Sequence, residues 1–224
     1  MAYTFAQQLS KLSSLLGASN SSTDDMFPLA DRKLAINRGE IHFARDSKIY
    51  RNYETGVIAS NQISIPADWI ENFMLIVDDK VISNKREISL SDWARYQDWA
   101  GDEPYFYTWT FSGTKLLKLL GTVNSKTYKL YYYAKPTVAL SADANESVFE
   151  DEYREASVYY AASELLSQIG KTQLAADRLA MYSAYVKNAK DDIDKQTINK
   201  EYAFPDFGDE GSDETDRQGS GGVC

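Results

Sequence analysis

The sequence predicts an α+β chain: a mainly helical core of N- and C-terminal helices, an inserted antiparallel β-meander, and an acidic, flexible C-terminal tail. Three observations carry that expectation. Apolar residues recur at helical spacing at both ends, the period shortens to alternation between residues 50 and 140, and the last stretch is acidic, Gly/Ser-rich and aperiodic.

A first helix is expected over residues 1–17, where Thr4-Phe5-Ala6-Gln7 has capping-box spacing and Phe5, Leu9, Leu12 and Leu16 repeat before Gly17. Residues 18–27 are polar and rich in Ser, Asn and Asp, the composition of a linker. Pro28 suits the first turn of a second helix, 28–45, with Asp31 near its positive end and Ala30, Leu34 and Ile41 as its buried stripe. The β-rich insert follows, 50–140. Ile63 and Ile65 alternate up to Pro66, and Phe73–Val77 suits a strand buried on both faces. Asp78-Asp79 reads as a two-residue turn, and residues 89–100 as a short helix before Gly101.

Tyr105, Tyr107, Trp109 and Phe111 then alternate onto one face, and Ser112-Gly113 turns the chain back through Thr114–Leu120. A second turn near Asn124-Ser125 leads into Tyr128–Tyr133, completing an expected three-stranded meander. Helices are expected over 147–169, opened by the capping-box spacing of Ser147-Val148-Phe149-Glu150, and over 172–197. The last of these carries Leu174, Leu179, Tyr182, Val186 and Ile193, and its length reaches past a compact core. Residues 199–224 form the acidic tail.

Counting residues removes several functions. The net charge is −9, of which residues 201–224, with seven acids against one base, carry −6. A mildly acidic body argues against a basic face that grips nucleic-acid phosphates. The longest apolar runs fall far short of the ~20 residues of a membrane span, and no basic-then-apolar opening marks a secretory signal. One cysteine, Cys224, leaves no internal disulfide and no thiolate zinc site. One histidine, His42, excludes a multi-histidine metal site, and no nucleophile motif accompanies it. No Gly-rich phosphate loop is present. No catalytic residue, cofactor or metal is expected.

Sixteen tyrosines are the compositional excess. Tyr128, Tyr131, Tyr132, Tyr133, Tyr159 and Tyr160 fall on both faces of their elements, a pattern that a second buried surface explains and that a sheet fully buried inside one domain would explain too. Tyr131, Tyr133, Tyr159 and Tyr160 are therefore candidate subunit-interface residues. A competing reading is a carbohydrate-binding or carbohydrate-active module, in which Trp69, Trp93, Trp99 and Trp109 join Asp68, Asp92, Asp98, Asp102 and Glu103 in a sugar cleft. A third is an interaction module of another kind.

Five segments in order resemble the head–tail adaptor (connector) proteins of tailed bacteriophages. Ala35-Ile36-Asn37-Arg38 is similar to that family's helical Asn-Arg motif. Ile63-Ser64-Ile65-Pro66-Ala67-Asp68-Trp69 is similar to its Leu-Pro-x-Asp strand end, with Ile for Leu. Gly101-Asp102-Glu103-Pro104-Tyr105-Phe106-Tyr107 is similar to its Gly-x-Pro-x-x-Tyr stretch, with one extra residue before the proline. Tyr131-Tyr132-Tyr133-Ala134-Lys135-Pro136 is close to its Tyr-Tyr-x-x-Pro strand. Glu152-Tyr153-Arg154-Glu155-Ala156, Gly170 and the helix from Thr172 follow its closing layout.

The resemblance covers residues 28–195 and makes 28–198 the adaptor domain. It implies a structural virion protein without catalysis, found in the neck and, during assembly, in the host cytoplasm. It further implies a homo-oligomeric, dodecameric ring under the portal protein, joined to tail, stopper or nozzle proteins and lining the channel through which genomic DNA passes. No membrane partner is implied. Tyr202, Phe204 and Phe207 around Pro205 form an anchor-like cluster, expected to contact the portal or a neighbouring subunit.

Overall fold

The computed structural model describes residues 3–18, 26–82, 87–101, 104–111 and 114–198. Most of the linker, the Ser112-Gly113 turn, Asp102, Glu103, Cys224 and the aromatic cluster Tyr202, Phe204 and Phe207 lie outside them. Helix α1 (Phe5–Leu16) opens on the expected capping box, with the Thr4 amide donating to Gln7 Oε1 at 2.8 Å. Gly17 closes it in the left-handed conformation (φ 66°), where a side chain would be strained. Its stripe of Phe5, Leu9, Leu12 and Leu16 is buried, as the periodicity predicts.

Helix α2 (Leu29–Ser47) presents a different face from the expected one. Ala30 is exposed and Leu34 is 50% exposed, whereas Arg32, Ala35, Ile36, Gly39, Glu40, Phe43, Ala44 and Ser47 are buried. The reason is its central position. Packed against α1, α4 (Arg154–Gln168) and α5 (Thr172–Ile198), α2 needs small residues for close approach and buries two charges that a hydrophobic count rejects. A Cβ added to Gly39 would stand 2.4 Å from the carbonyl oxygen of Ser157 on α4.

The insert consists of two antiparallel sheets rather than one meander. Strands β1 (Arg51–Val57), β3 (Trp69–Val77), β4 (Lys80–Ile82) and β7 (Thr127–Ala134) form the first, in the order β1-β7-β3-β4. Strands β2 (Gln62–Ser64), β5 (Tyr105–Phe111) and β6 (Thr114–Leu120) form the second, in the order β2-β6-β5. The β5–β6 hairpin pairs as expected, Phe111 opposite Thr114. The turn at Ser125 (φ 66°), however, hands β7 to the other sheet, where it lies between β1 and β3. Its alternation explains the transfer: Tyr128, Leu130, Tyr132 and Ala134 fill a core shared with Leu75, Val77, Phe106, Leu117 and Leu119.

Asp78 and Asp79 make the expected two-residue turn, both with positive φ (47° and 63°). Asp78 Oδ1 also accepts the amide and hydroxyl of Thr127 at 3.0 and 3.2 Å, tying the turn to the start of β7. In β3, Leu75 and Val77 face the core, while Phe73, Met74 and Ile76 are only half-buried. One face, not both, is thus closed within the chain. Trp93–Tyr96 forms the short helix α3.

Helix α4 starts at Arg154, later than the capping-box spacing at Ser147 predicts. The Ser147 hydroxyl is already committed: it donates to Glu40 Oε2 at 2.7 Å and accepts the amide of Phe149 at 3.2 Å. This holds residues 147–153 as turns and seats Phe149 against Phe43, 5.0 Å between ring centroids. Gly170 (φ 76°) ends the α4 segment and α5 begins at Thr172, as expected. The buried line of α5 is Ala175, Tyr182 and Ala189, narrower than the expected stripe, with Leu174 and Leu179 exposed. Small residues on this line let α5 lie close along α4, its principal contact.

One apolar core joins α1, α2 and α4 through Phe5, Leu12, Ile36, Val158 and Leu166. A second, built on Phe43, Phe149, Tyr153, Tyr182 and Ala189, reaches Tyr50 and Ile70 and so connects α5 to the entrances of β1 and β3. Among the described residues, no helix is long and apolar enough to cross a membrane.

Candidate interaction surfaces

The motif residues prove to be the joints between segments. Asn37, on α2, bonds both backbone groups of Leu140: its Oδ1 accepts the Leu140 amide at 2.7 Å and its Nδ2 donates to the Leu140 carbonyl at 3.0 Å. Arg38 pairs with Glu164 on α4 at 2.6 Å. Asp68 accepts the Tyr132 hydroxyl and the Asn52 amide, both at 3.0 Å, so the Pro-x-Asp turn is fastened to β7 and β1. A Cβ on Gly101 would lie 2.5 Å from the Trp99 ring, so the glycine lets that ring close over the backbone. Arg154 donates to the carbonyls of Phe149 (2.7 Å) and Tyr3 (3.1 Å) and pairs with Glu146 and Asp151, gathering α1, the 146–151 turns and α4.

Much of the tyrosine excess serves the same purpose. Tyr182 donates to Asp46 at 2.6 Å, Tyr153 to Asp192, and Tyr185 to Glu155 at 3.4 Å. Burial, reinforced by the carboxylate each hydroxyl meets, pushes the Tyr182 and Tyr153 phenols upward and that of Tyr185 to about 12. The rings fill the core while each hydroxyl keeps a partner.

The four candidate interface tyrosines separate into two pairs. Tyr159 is buried between α4 and α5, stacked on Tyr185 at 5.7 Å, so its area is already covered within the chain. Tyr160 is half-buried and stacks on His42 at 4.4 Å, a packing role for the only histidine. Tyr131 and Tyr133 point away from the sheet core, on the outer face of β7. There they meet Tyr53, which is 62% exposed, and Phe73: Tyr53–Tyr131 at 5.8 Å, Phe73–Tyr131 at 5.9 Å and Phe73–Tyr133 at 5.1 Å.

Arg51 lies over Phe73 and Tyr133 at 5.5 and 5.8 Å, and Lys48 over Tyr133 at 5.3 Å while paired with Glu71. The face continues through Met74 and Ile76 to a depression of about 420 Å³ bordered by Val57, Ile76, Thr127 and Lys129. Sequence reasoning missed Arg51, Tyr53 and Phe73. Their signal lay in register: Tyr53 and Arg51 stand opposite Tyr131 and Tyr133 in the β1–β7 ladder.

Among the described contacts, Trp93, Trp99 and Trp109 pack on tyrosines. Trp93 meets Tyr107 at 4.5 Å, Tyr96 meets Tyr105 at 4.4 Å and Trp99 meets Tyr105 at 5.2 Å, so α3 roofs the outer face of β5. Trp69 lies on the other sheet and donates to Asn72 at 2.7 Å. Asp92 accepts from Ser89 at 2.6 Å. Among the described residues, no group of three or more His, Cys, Asp or Glu is placed to hold a metal ion.

A buried polar cluster sits between the helices. Glu40 accepts from Ser147 and from Gln8 Nε2 (3.4 Å), and Gln8 also donates to the Arg154 carbonyl at 3.2 Å. Burial raises the Glu40 carboxyl above its ordinary value despite these donors and nearby Arg154, which act in the opposite direction.

The profile of the SU10 adaptor protein family matches residues 3–206. It takes in α1, which the segment resemblance omitted, and reaches into the aromatic cluster beyond α5. No curated protein matches the chain. With a match over most of its length, the chain belongs to the SU10 adaptor protein family, the structural head–tail connectors of phage.

Proposed function

We propose that copies of this chain close into a ring beneath the portal, joining it to tail, stopper or nozzle proteins and continuing the channel through which the genome passes. Family membership over residues 3–206 carries the reading. The outer face of the β1-β7-β3-β4 sheet supports it physically. A half-buried aromatic stripe edged by the exposed Tyr53 and flanked by cations is a surface that a monomer in water gains nothing by keeping open. We assign this face, with Tyr131 and Tyr133, to contact between neighbouring subunits, and Tyr202, Phe204 and Phe207 to contact with the portal or a neighbour. The ring is dodecameric. The mildly acidic body, −3 over residues 1–200 once the −6 of residues 201–224 is set aside from the net −9, suits a wall past which DNA slides, because like charge limits sticking. Native mass measurement of the full chain with purified portal tests the reading: a portal-bound closed ring is expected. A chain that stays monomeric and never joins the portal overturns it.

A further inference from the structure

The sheet face needs an occupant, and the chain itself carries one of matching chemistry. The face combines an aromatic stripe (Tyr53, Phe73, Tyr131, Tyr133) with the cations Lys48, Arg51 and Lys129. Residues 201–209 read Glu-Tyr-Ala-Phe-Pro-Asp-Phe-Gly-Asp: three aromatics interleaved with three acids and no base. Each set supplies what the other lacks. Rings bury on rings, and carboxylates meet a guanidinium and ammonium groups, of which Lys48 already pairs with Glu71.

Position agrees with chemistry. Ala189 of α5 shares a core with Tyr50 and Ile70, which lead into β1 and β3 at the Arg51–Tyr133 end of the face. From there α5 runs on to Ile198, about 13 Å of helix. The residues from 199 to 204 span up to roughly 20 Å when extended, enough to return to that end.

We infer that the C-terminal segment Glu201–Asp209 is the ligand of this face, with Tyr202, Phe204 and Phe207 laid on the Tyr53/Phe73/Tyr131/Tyr133 stripe. Its acids pair with Arg51, Lys48 and Lys129. While seated, the segment keeps the face of the isolated chain from non-specific association, and a neighbouring subunit takes its place in the ring. Pro205 favours an extended backbone at Phe204, so that Tyr202 and Phe204, two residues apart, can share one side. The inference rests on reading the face as a contact surface, but its test uses the full chain alone. Its failure would leave ring assembly to be judged by its own mass measurement.

The test is photo-crosslinking of the full chain carrying Phe204→p-benzoylphenylalanine, followed by peptide mapping. Crosslinks to β1, β3 and β7 are expected, lost in Arg51→Glu/Tyr53→Glu, two exposed positions whose change leaves the core intact. Crosslinks confined to the helical half or to the β2-β6-β5 sheet, or none at all, overturn the proposal. A second reading uses the methionine methyls. Tyr202→Ser/Phe204→Ser/Phe207→Ser should shift the Met74 methyl resonance, opposite Tyr131, and leave Met26 and Met181 unmoved. An unmoved Met74 overturns it equally.

Discussion

Asn37 completes the Leu140 backbone as a neighbouring strand would, accepting its amide at 2.7 Å and donating to its carbonyl at 3.0 Å across 103 residues of sequence. This clamp returns the chain from the sheets to the helices and seats the Leu140 side chain in the α1–α2–α4 core.

Asn37→Ala removes both bonds and leaves two half-buried backbone groups without this partner. A loss of about 1–3 kcal/mol is expected in urea denaturation. Limited proteolysis should cut first between residues 136 and 146. Asn37→Asp keeps the acceptor and loses the donor, so it should fall between wild type and alanine. Equal stability of all three would refute the clamp.

Gly39→Ala sets two effects against each other. Alanine favours the helix by about 1 kcal/mol, but its Cβ would lie 2.4 Å from the Ser157 carbonyl oxygen. Backbone cannot swing aside as a side chain can, so α2 and α4 must part, at about 1–3 kcal/mol or more. A lower Tm is expected; a raised Tm would show the helices to be looser than described.

Glu40→Gln should change how stability depends on pH. Burial raises the Glu40 carboxyl in the folded chain, so that chain holds the proton more tightly than the unfolded one. This contribution is therefore fully present below the ordinary value near 4.5 and is lost as pH climbs toward the raised one. Glutamine has no such proton. The stability of wild type minus that of the variant should decline from about pH 4.5 toward neutrality. A flat difference across denaturation curves in that range counts against it.

Trp93→Ala is expected to lower stability by about 1–3 kcal/mol, since the ring packs on Tyr107 over β5. Glycan binding should be absent from wild type and variant alike. Specific sugar binding lost in a folded variant would revive the carbohydrate reading.

Tyr131→Ala and Tyr133→Ala should each cost the isolated chain at most about 1 kcal/mol, because their rings face outward. Both should weaken subunit assembly. Tyr159→Ala, which empties a buried site between α4 and α5, should cost about 3–5 kcal/mol. Assembly titrations beside thermal melts separate the two behaviours.

Local chemistry was legible in the sequence where one residue decides it. Gly17 and the capping box bound α1, Thr172 opens α5, and Asp78-Asp79 turns β3 into β4. Tertiary competition was not legible. The Ser147 hydroxyl could cap a helix or satisfy Glu40, and only the fold shows that it answers the buried charge. Likewise, a turn at Ser125 is visible from composition, but nothing local reveals that β7 then joins a different sheet. The outer aromatic face was half visible, since Tyr131 and Tyr133 stand out in a run of three tyrosines while Tyr53 and Phe73 join them only through register.

The position of β7 between β1 and β3 also orders events on the ribosome. Once Ala134 has emerged, Arg51 can find Tyr133 and the two sheets can close around their shared core. Helices α1 and α2 must wait longer, because α4, their main partner, is complete only at Gln168. At ~5–20 residues per second, the apolar stripe of α1 stays uncovered for roughly ten seconds or more. Chaperones that bind short apolar helices should therefore recognise the nascent chain through Phe5–Leu16, and release it as α4 arrives.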